Sequence, residues 1–308
     1  MARLVIALGG NALQSRNEKS YDEQLSRADV AFSKLRHVIS ENEAVITHGN
    51  GPQVGDILLQ NEAAHATVPP FPLDVCGSMS QGLIAQILTT ASFNNLPESG
   101  KKSVQVYTRT IVNRNDPAFS NPTKFIGPTY RKEEADELGK QKGWKLKEQN
   151  GKGWRRVVAS PEPVDILEWK VVSDLLESGY LPICTGGGGT PMVIDNGKLK
   201  GIEAVIDKDL ASALLANRIN CRRFVILTDV ENVYVDFMEK SQRAINNSTA
   251  GEMEEYYSRG KFQSGSMGPK VRAAINFLNR GGDEVIITSL DKAESGIAGS
   301  TGTHIFRN

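Results

Sequence analysis

Three short apolar runs in this chain end against glycine, and that repetition limits the fold more than any other feature. LVIAL at residues 4–8 meets Gly9-Gly10-Asn11. AVIT at 44–47 meets His48-Gly49-Asn50-Gly51. LPIC at 181–184 meets Gly186-Gly187-Gly188-Gly189 one residue later. A continuous apolar run of this length is the pattern of a strand buried on both faces. Further runs of the same kind stand at 104–107, 224–227 and 285–287. Between the runs lie amphipathic stretches. Leu25, Ala28, Phe32, Leu35 and Ile39 recur at steps of three and four, one face of a helix. Helices are also predicted over 53–65, 80–93, 165–177, 209–217, 252–257 and 269–278. Asp195-Asn196-Gly197 predicts a hairpin turn. Short strands alternating with helices predict an α/β fold, a mainly parallel open sheet covered on both faces.

In such a sheet the glycine clusters lie at the carboxyl edge, where ligands bind. Glycine lets backbone N–H groups approach an anion closely, and a helix starting just afterwards adds its positive end. Three clusters on one edge predict an anion-binding surface. Yet the first strand offers Ala7 where a phosphate site needs a cation.

One segment breaks the alternation. From 116 to 163 the chain is rich in proline, glycine and charge and carries Trp144 and Trp154. It is predicted to be a small inserted lobe or lid within a single domain spanning 1–308. Phe125, Ile126 and the tryptophans give it something to pack with.

Composition removes several function classes. Lys and Arg total 36, as do Asp and Glu. A neutral chain lacks the basic excess that a nucleic-acid or membrane partner requires. The three cysteines, Cys76, Cys184 and Cys221, form no CxxC pair and read as buried thiols of a reducing compartment. The apolar run at 4–8 is too short for a signal peptide, and no stretch has membrane-spanning length. The protein is expected to be cytoplasmic. Gly-Gly-Asn-Ala does not fit the dinucleotide fingerprint, and no GxxxxGK[ST] loop or GxSxG elbow occurs. The four histidines have no metal-ligand spacing.

The cations come late in the chain. IDKDLA sets Lys208 between Asp207 and Asp209 at a helix start. GSMGPK sets Lys270 in another first turn, behind Gly268 and Pro269, the proline suited to the first helical position. A cation there opposes the helix dipole, so Lys270 reads better as facing a ligand than as a cap.

These stretches, with HGNGPQVG, LDVCGSMSQG, DPAFSNPTKFIGP, GWRRVVASPEP, GGGGTP, ILTDVENVY and GTHI, resemble the amino acid kinase superfamily, most closely its carbamate kinases. The likeness runs along essentially the whole chain. Small departures are Phe125, Ala159 and Cys184-Thr185, none of which removes a group with obvious chemistry. The resemblance implies a three-layer αβα sandwich with about eight strands and a homodimer. It implies ATP, ADP, carbamate and carbamoyl phosphate as ligands, Mg²⁺ carried by the phosphates without a protein ligand, and a place in arginine metabolism. Many relatives carry a lysine at the position of Ala7. Carbamate kinases take the charge from the inserted lobe, and the matching residue is Lys124. Lys208 and Lys270 would bind phosphoryl oxygens, with Asp209 orienting them. Gly9, Gly10, Asn11, Gly49, Asn50 and Gly51 would face carbamate and the transferring group. Thr228, Asp229, Val230, Tyr234, Met267 and Gly268 would line the nucleotide site, although Tyr234 and Met267 read equally as core. A same-fold kinase with another acceptor is disfavoured by Ala7 and TKFIGP. A non-catalytic nucleotide binder is disfavoured by the three lysines and Asp209.

Overall fold

The computed structural model describes residues 2–10, 13, 20–97, 100–149, 151–263 and 266–308. The chain opens with β1 (Arg3–Leu8), α1 (Tyr21–Glu41), β2 (Glu43–His48), α2 (Gly51–Ala63), α3 (Leu73–Asn95) and β3 (Ser103–Gln105). It continues through β4 (Arg109–Val112), α4 (Pro117–Ser120), β5 (Lys124–Tyr130), α5 (Lys132–Lys142), β6 (Leu146–Glu148) and β7 (Trp154–Val158). Next come β8 (Pro163–Ile166), α6 (Trp169–Glu177), β9 (Leu181–Cys184), β10 (Thr190–Asp195), β11 (Lys198–Gly201) and α7 (Lys208–Arg218). The last part holds β12 (Arg223–Thr228), β13 (Val233–Val235), β14 (Arg243–Ile245), β15 (Asn247–Thr249), α8 (Ala250–Ser258), α9 (Met267–Asn279), β16 (Glu284–Ser289), α10 (Ala293–Ile297) and β17 (Thr303–Phe306).

The central sheet has eight strands in the order β15-β17-β16-β12-β1-β2-β9-β3. All its pairings are parallel except β16 with β17. β1 shows why the runs read as continuous. Val5 and Ala7 point into a core formed with α6, α7, α8 and α9. Leu4, Ile6 and Leu8 point into a second core formed with α1, α3 and α10. Strand alternation thus feeds apolar side chains to two helical layers at once. The result is the expected three-layer α/β sandwich. Ala7 is fully buried in the first core, so no charge could be accommodated there without a partner.

β5, β7 and β6 form a separate three-stranded antiparallel sheet, in the order β5-β7-β6, carrying α5. It meets the body through a small apolar cluster of Val54, Ile57, Leu73, Cys76, Ile126 and Val158. A cavity of about 540 Å³ lies beside that contact, between Leu58 and Phe71 of the body and Tyr130 and Trp144 of the lobe. The DNG turn joins β10 to β11 with Asn196 and Gly197 both at positive φ (50° and 73°), the geometry of a type I′ hairpin.

Two helix boundaries differ from expectation. α3 begins at Leu73, directly after Pro72, and not at Ser80. Its first turns bury Leu73 and Cys76 in the small lobe-facing cluster, away from the layer that buries Ile84, Ile87 and Leu88, so no single apolar stripe runs through them. α6 begins at Trp169, because 163–166 pair with β4 as β8. There tertiary pairing overrides a helix-compatible pattern.

Phe224 and Phe277 pack ring to ring at 5.7 Å in the first core, both fully buried. Gly282 lies tight against the Phe277 ring. Phe277→Ala should lower stability by about 3–5 kcal/mol through lost burial and the cavity left behind, measured by urea unfolding.

Candidate active site

β1, β2 and β9 are neighbours in the sheet, so the three glycine clusters open on one edge, side by side. Gly49 faces Gly10 across the first two loops. Gly9 abuts the Leu227 carbonyl of β12, where a Cβ would come within 2.9 Å. Asn11 lies outside the described residues.

Among the described residues, the second cluster opens directly onto an α-helix. α2 starts at Gly51, whereas α1 starts at Tyr21 and the third cluster leads through a 3₁₀ turn into β10. The four glycines of that third cluster serve packing more than anion contact. A Cβ on Gly187 would fall 2.1 Å from the Asn50 carboxamide, and one on Gly186 2.6 Å from the His48 ring. Gly188 presses on Ile206 and Gly189 on Thr110. The N–H groups of Gly188 and Gly189 already donate to Thr185 and Gly186 carbonyls. The three clusters share one edge but differ in their surroundings. The third loop is the wall against which residues of the second are seated.

The cations converge at the start of α7. Asp207 is its N-cap, its carboxylate accepting from the N–H groups of Asp209 and Leu210. Lys208 and Asp209 follow in the first turn and are nearly inaccessible. Asp209 Oδ2 lies 3.3 Å from the Lys270 ammonium and Oδ1 2.9 Å from that of Lys208. The Lys208 contact is off the hydrogen-bond direction, so both its Nζ and Oδ1 are buried without a directed partner. Burial opposes ionisation of Asp209, but the attraction of Lys208 and Lys270, with the hydrogen bond from Lys270, outweighs it and holds its pKa below the ordinary carboxylate value. Burial, and then repulsion from Lys270, pull the Lys208 ammonium below the usual lysine value against the attraction of Asp209. Ser212 donates to the Lys208 carbonyl at 2.6 Å and contacts Thr47 of β2 at 2.6 Å, fixing this turn to the glycine edge. Lys270 sits in the first turn of α9 as expected, although Pro269 is the third helical residue and not the first.

Lys124, from the first position of β5, reaches Asp207 at 3.0 Å. The lobe thus delivers a third ammonium to the helix start that carries Lys208. Asp207 escaped notice as a site residue. The only available signal was an Asp ahead of an apolar-periodic stretch, which reads as an N-cap.

Thr228, Asp229, Val230, Tyr234 and Met267 line one cavity of about 120 Å³ after β12, joined by Phe237. Thr228 and Asp229 also line a neighbouring cavity of about 220 Å³ that reaches Gly9. The predicted nucleotide residues are therefore brought together beside the glycine edge. Gly268 is not in this lining; it packs on the Gln263 carbonyl. Tyr234 is half-buried with its ring 6.0 Å from that of Phe237, and Met267 also touches the first core.

His48 is fully buried, its Nδ1 on the Gly49 carbonyl at 2.9 Å and its Nε2 unpartnered. Burial lowers its pKa to about 4; the Gly49 bond acts in the opposite sense, and the Lys208 charge lowers it further. Its folded-state value lies below the ordinary 6.5. Between these two values the unfolded chain binds a proton that the folded chain refuses. Stability is therefore lost as pH falls from 6.5 toward 4, by a total on the order of 3 kcal/mol. His48→Gln should flatten that part of the pH dependence, measured by urea midpoints at half-unit steps.

The chain matches the amino acid kinase family over residues 2–289. It is 46% identical to the carbamate kinase of Pyrococcus furiosus, covering 98% of each chain. It is 41% identical to that of Trichomonas vaginalis, covering 99% of this chain and 100% of the relative. The solved carbamate kinase of Giardia lamblia bound to AMP-PNP superposes with a TM-score of 0.92 at 42% identity, covering 100% of this chain and 99% of that one. Likeness of this extent, in sequence and in fold, means that the chain belongs to the amino acid kinase family and, within it, to the carbamate kinases.

Proposed function

We propose that the chain interconverts ATP and carbamate with ADP and carbamoyl phosphate, in arginine and carbamoyl phosphate metabolism. The observation that carries this is the buried Lys208–Asp209–Lys270 group at the glycine edge, with Lys124 brought to the same helix start. It suits transfer to an oxygen that is already ionised. A carbamate oxygen needs no general base, and the two nearest candidates among the described residues are not free to act as one. Asp209 is held ionised between two ammoniums, and His48 is sealed behind Gly186. What the site supplies is in-line positioning and neutralisation of charge spread over phosphoryl oxygens.

In this reading Gly9, Gly10, Asn11, Gly49, Asn50 and Gly51 seat carbamate and the transferring group. Lys208 and Lys270 take phosphoryl oxygens. Thr228, Asp229, Val230, Tyr234, Met267 and Gly268 form the adenosine side. Mg²⁺ comes with the nucleotide and neutralises its phosphates. Asp207 and Asp209 are both held by lysines, and the nucleotide phosphates would supply its ligands. The lobe within 116–163 acts as a lid, supported by its thin apolar contact and the cavity beside it. Ala7, buried among apolar side chains, leaves the lobe lysine as the replacement cation. A cytoplasmic homodimer completes the proposal. Three buried free cysteines support the compartment. The open edge at β3, with exposed Tyr107 two residues beyond its end, offers a surface for a second copy.

A coupled assay for ATP formed from ADP and carbamoyl phosphate tests the reaction. ATP formed only from another acyl phosphate would mean a different acceptor. Binding of ADP without turnover would mean a non-catalytic relative. Lys208→Ala should lower kcat by about 10²-fold or more, because it removes a contact made to charge that develops in the transition state. Lys124→Ala should lower kcat far more than it weakens ADP binding, since the core lysines still hold the nucleotide. Lys124→Arg should restore little, a planar fork being no substitute for a compact ammonium. Near-normal kcat in both alanine variants would move the site elsewhere.

A further inference from the structure

Within LDVCGSMSQG, the pair Ser80-Gln81 has no task in the mechanism above, yet both residues are buried, at 0% and 2% exposure. Gln81 braces the wall behind the site. Its carboxamide accepts from the Thr108 N–H and donates to the Thr108 carbonyl and the Thr190 hydroxyl. Thr108 in turn accepts from the Thr185 N–H, one residue before the glycine wall.

Ser80 makes a more specific contact. Its hydroxyl donates to the Gly77 carbonyl at 2.5 Å. A hydroxyl has one proton, so toward Asn50 it can only accept, and it receives the Asn50 Nδ2 at 2.8 Å. The carboxamide therefore presents its nitrogen to α3 and its oxygen away from it. On another side it lies against the Gly187 backbone, where a Cβ would fall 2.1 Å away. Gly187 is itself at φ +63°, a conformation natural to glycine. Asn50 is held by both.

This arrangement is unusual for its position. Asn50 is the N-cap of α2, and asparagine is among the best capping residues, turning its side-chain oxygen to a first-turn N–H. Here it makes no capping bond. Pro52 has no N–H to offer, and the Val54 N–H is taken by the Asn50 carbonyl. The first-turn donors left uncapped are those of Gly51 and Gln53, at the helix end that opens beside Gly10.

We propose that Ser80 is a positioning residue that restrains Asn50 from capping α2, keeping that helix end open to the anionic carbamate or carbamoyl phosphate. The proposal rests on the reading of Asn50 and Gly51 as substrate-facing. Without the Ser80 hydroxyl, Asn50 swings back to the Gln53 N–H and competes with substrate for it.

The test is a double-mutant cycle in the ATP-forming assay. Ser80→Ala should raise KM for carbamoyl phosphate about tenfold and leave KM for ADP within about twofold. Its thermal midpoint should not fall, because the freed Asn50 gains a cap. Asn50→Ala should impair carbamoyl phosphate use, and Ser80→Ala added to Asn50→Ala should change nothing more, the two acting through one contact. Normal kinetics in Ser80→Ala with an impaired Asn50→Ala would overturn the role of Ser80 and leave the site reading standing. So would fully additive losses, or a lowered midpoint with equal damage to both substrates. Normal kinetics in Asn50→Ala would overturn the site reading itself, and the proposal with it.

Discussion

A carboxylate with 3% of its side chain exposed, held between two ammonium groups, is the contact on which the rest of this site depends. Asp209 alone would be costly to bury, and Lys208 or Lys270 alone equally so. Together they leave one net positive charge in a dry place, beside backbone N–H groups, on the rim of a rigid sheet. Each element around them has a role in that placement. α7 brings Lys208 and Asp209 in its first turn, α9 brings Lys270 in its first turn, and Ser212 with Thr47 ties the start of α7 to β2. Preorganised charge of this kind needs little rearrangement when an anion arrives, which is the condition under which electrostatic stabilisation is strongest.

Much of this was legible in the sequence, for identifiable reasons. β1, β2, β9 and β12 are buried on both faces, so their residues read as unbroken apolar runs. The glycine ends of β1, β2 and β9 fall on one edge because adjacent parallel strands point the same way. Asp-Lys-Asp at 207–209 stands out because charge follows directly on an apolar stretch. Contacts between distant segments were not legible. Lys124 meets Asp207 across 83 positions and Asn50 meets Ser80 across 30; neither partner shows a pattern naming the other. The glycine wall at 186–189 looked like a phosphate loop, because composition reports that a Cβ is missing and not what fills its space. The start of α3 was hidden because its first turns face a different core from its later ones.

The two kinds of lysine in this site differ in how they meet the solvent. The Lys208 and Lys270 side chains are 13% and 15% exposed, while Lys124 is 40% exposed where it meets Asp207. The ion pairs Lys142–Glu62 and Arg156–Glu203, which also join the three-stranded lobe to the body, each include a member exposed by more than 40%. Dissolved ions screen exposed charges over about 8 Å at physiological strength and buried ones far less. Electrolyte thus acts on the two groups separately. Raising it weakens the exposed ion pairs between the lobe and the body, Lys124–Asp207 among them, and leaves the buried Lys208–Asp209–Lys270 contacts much less affected.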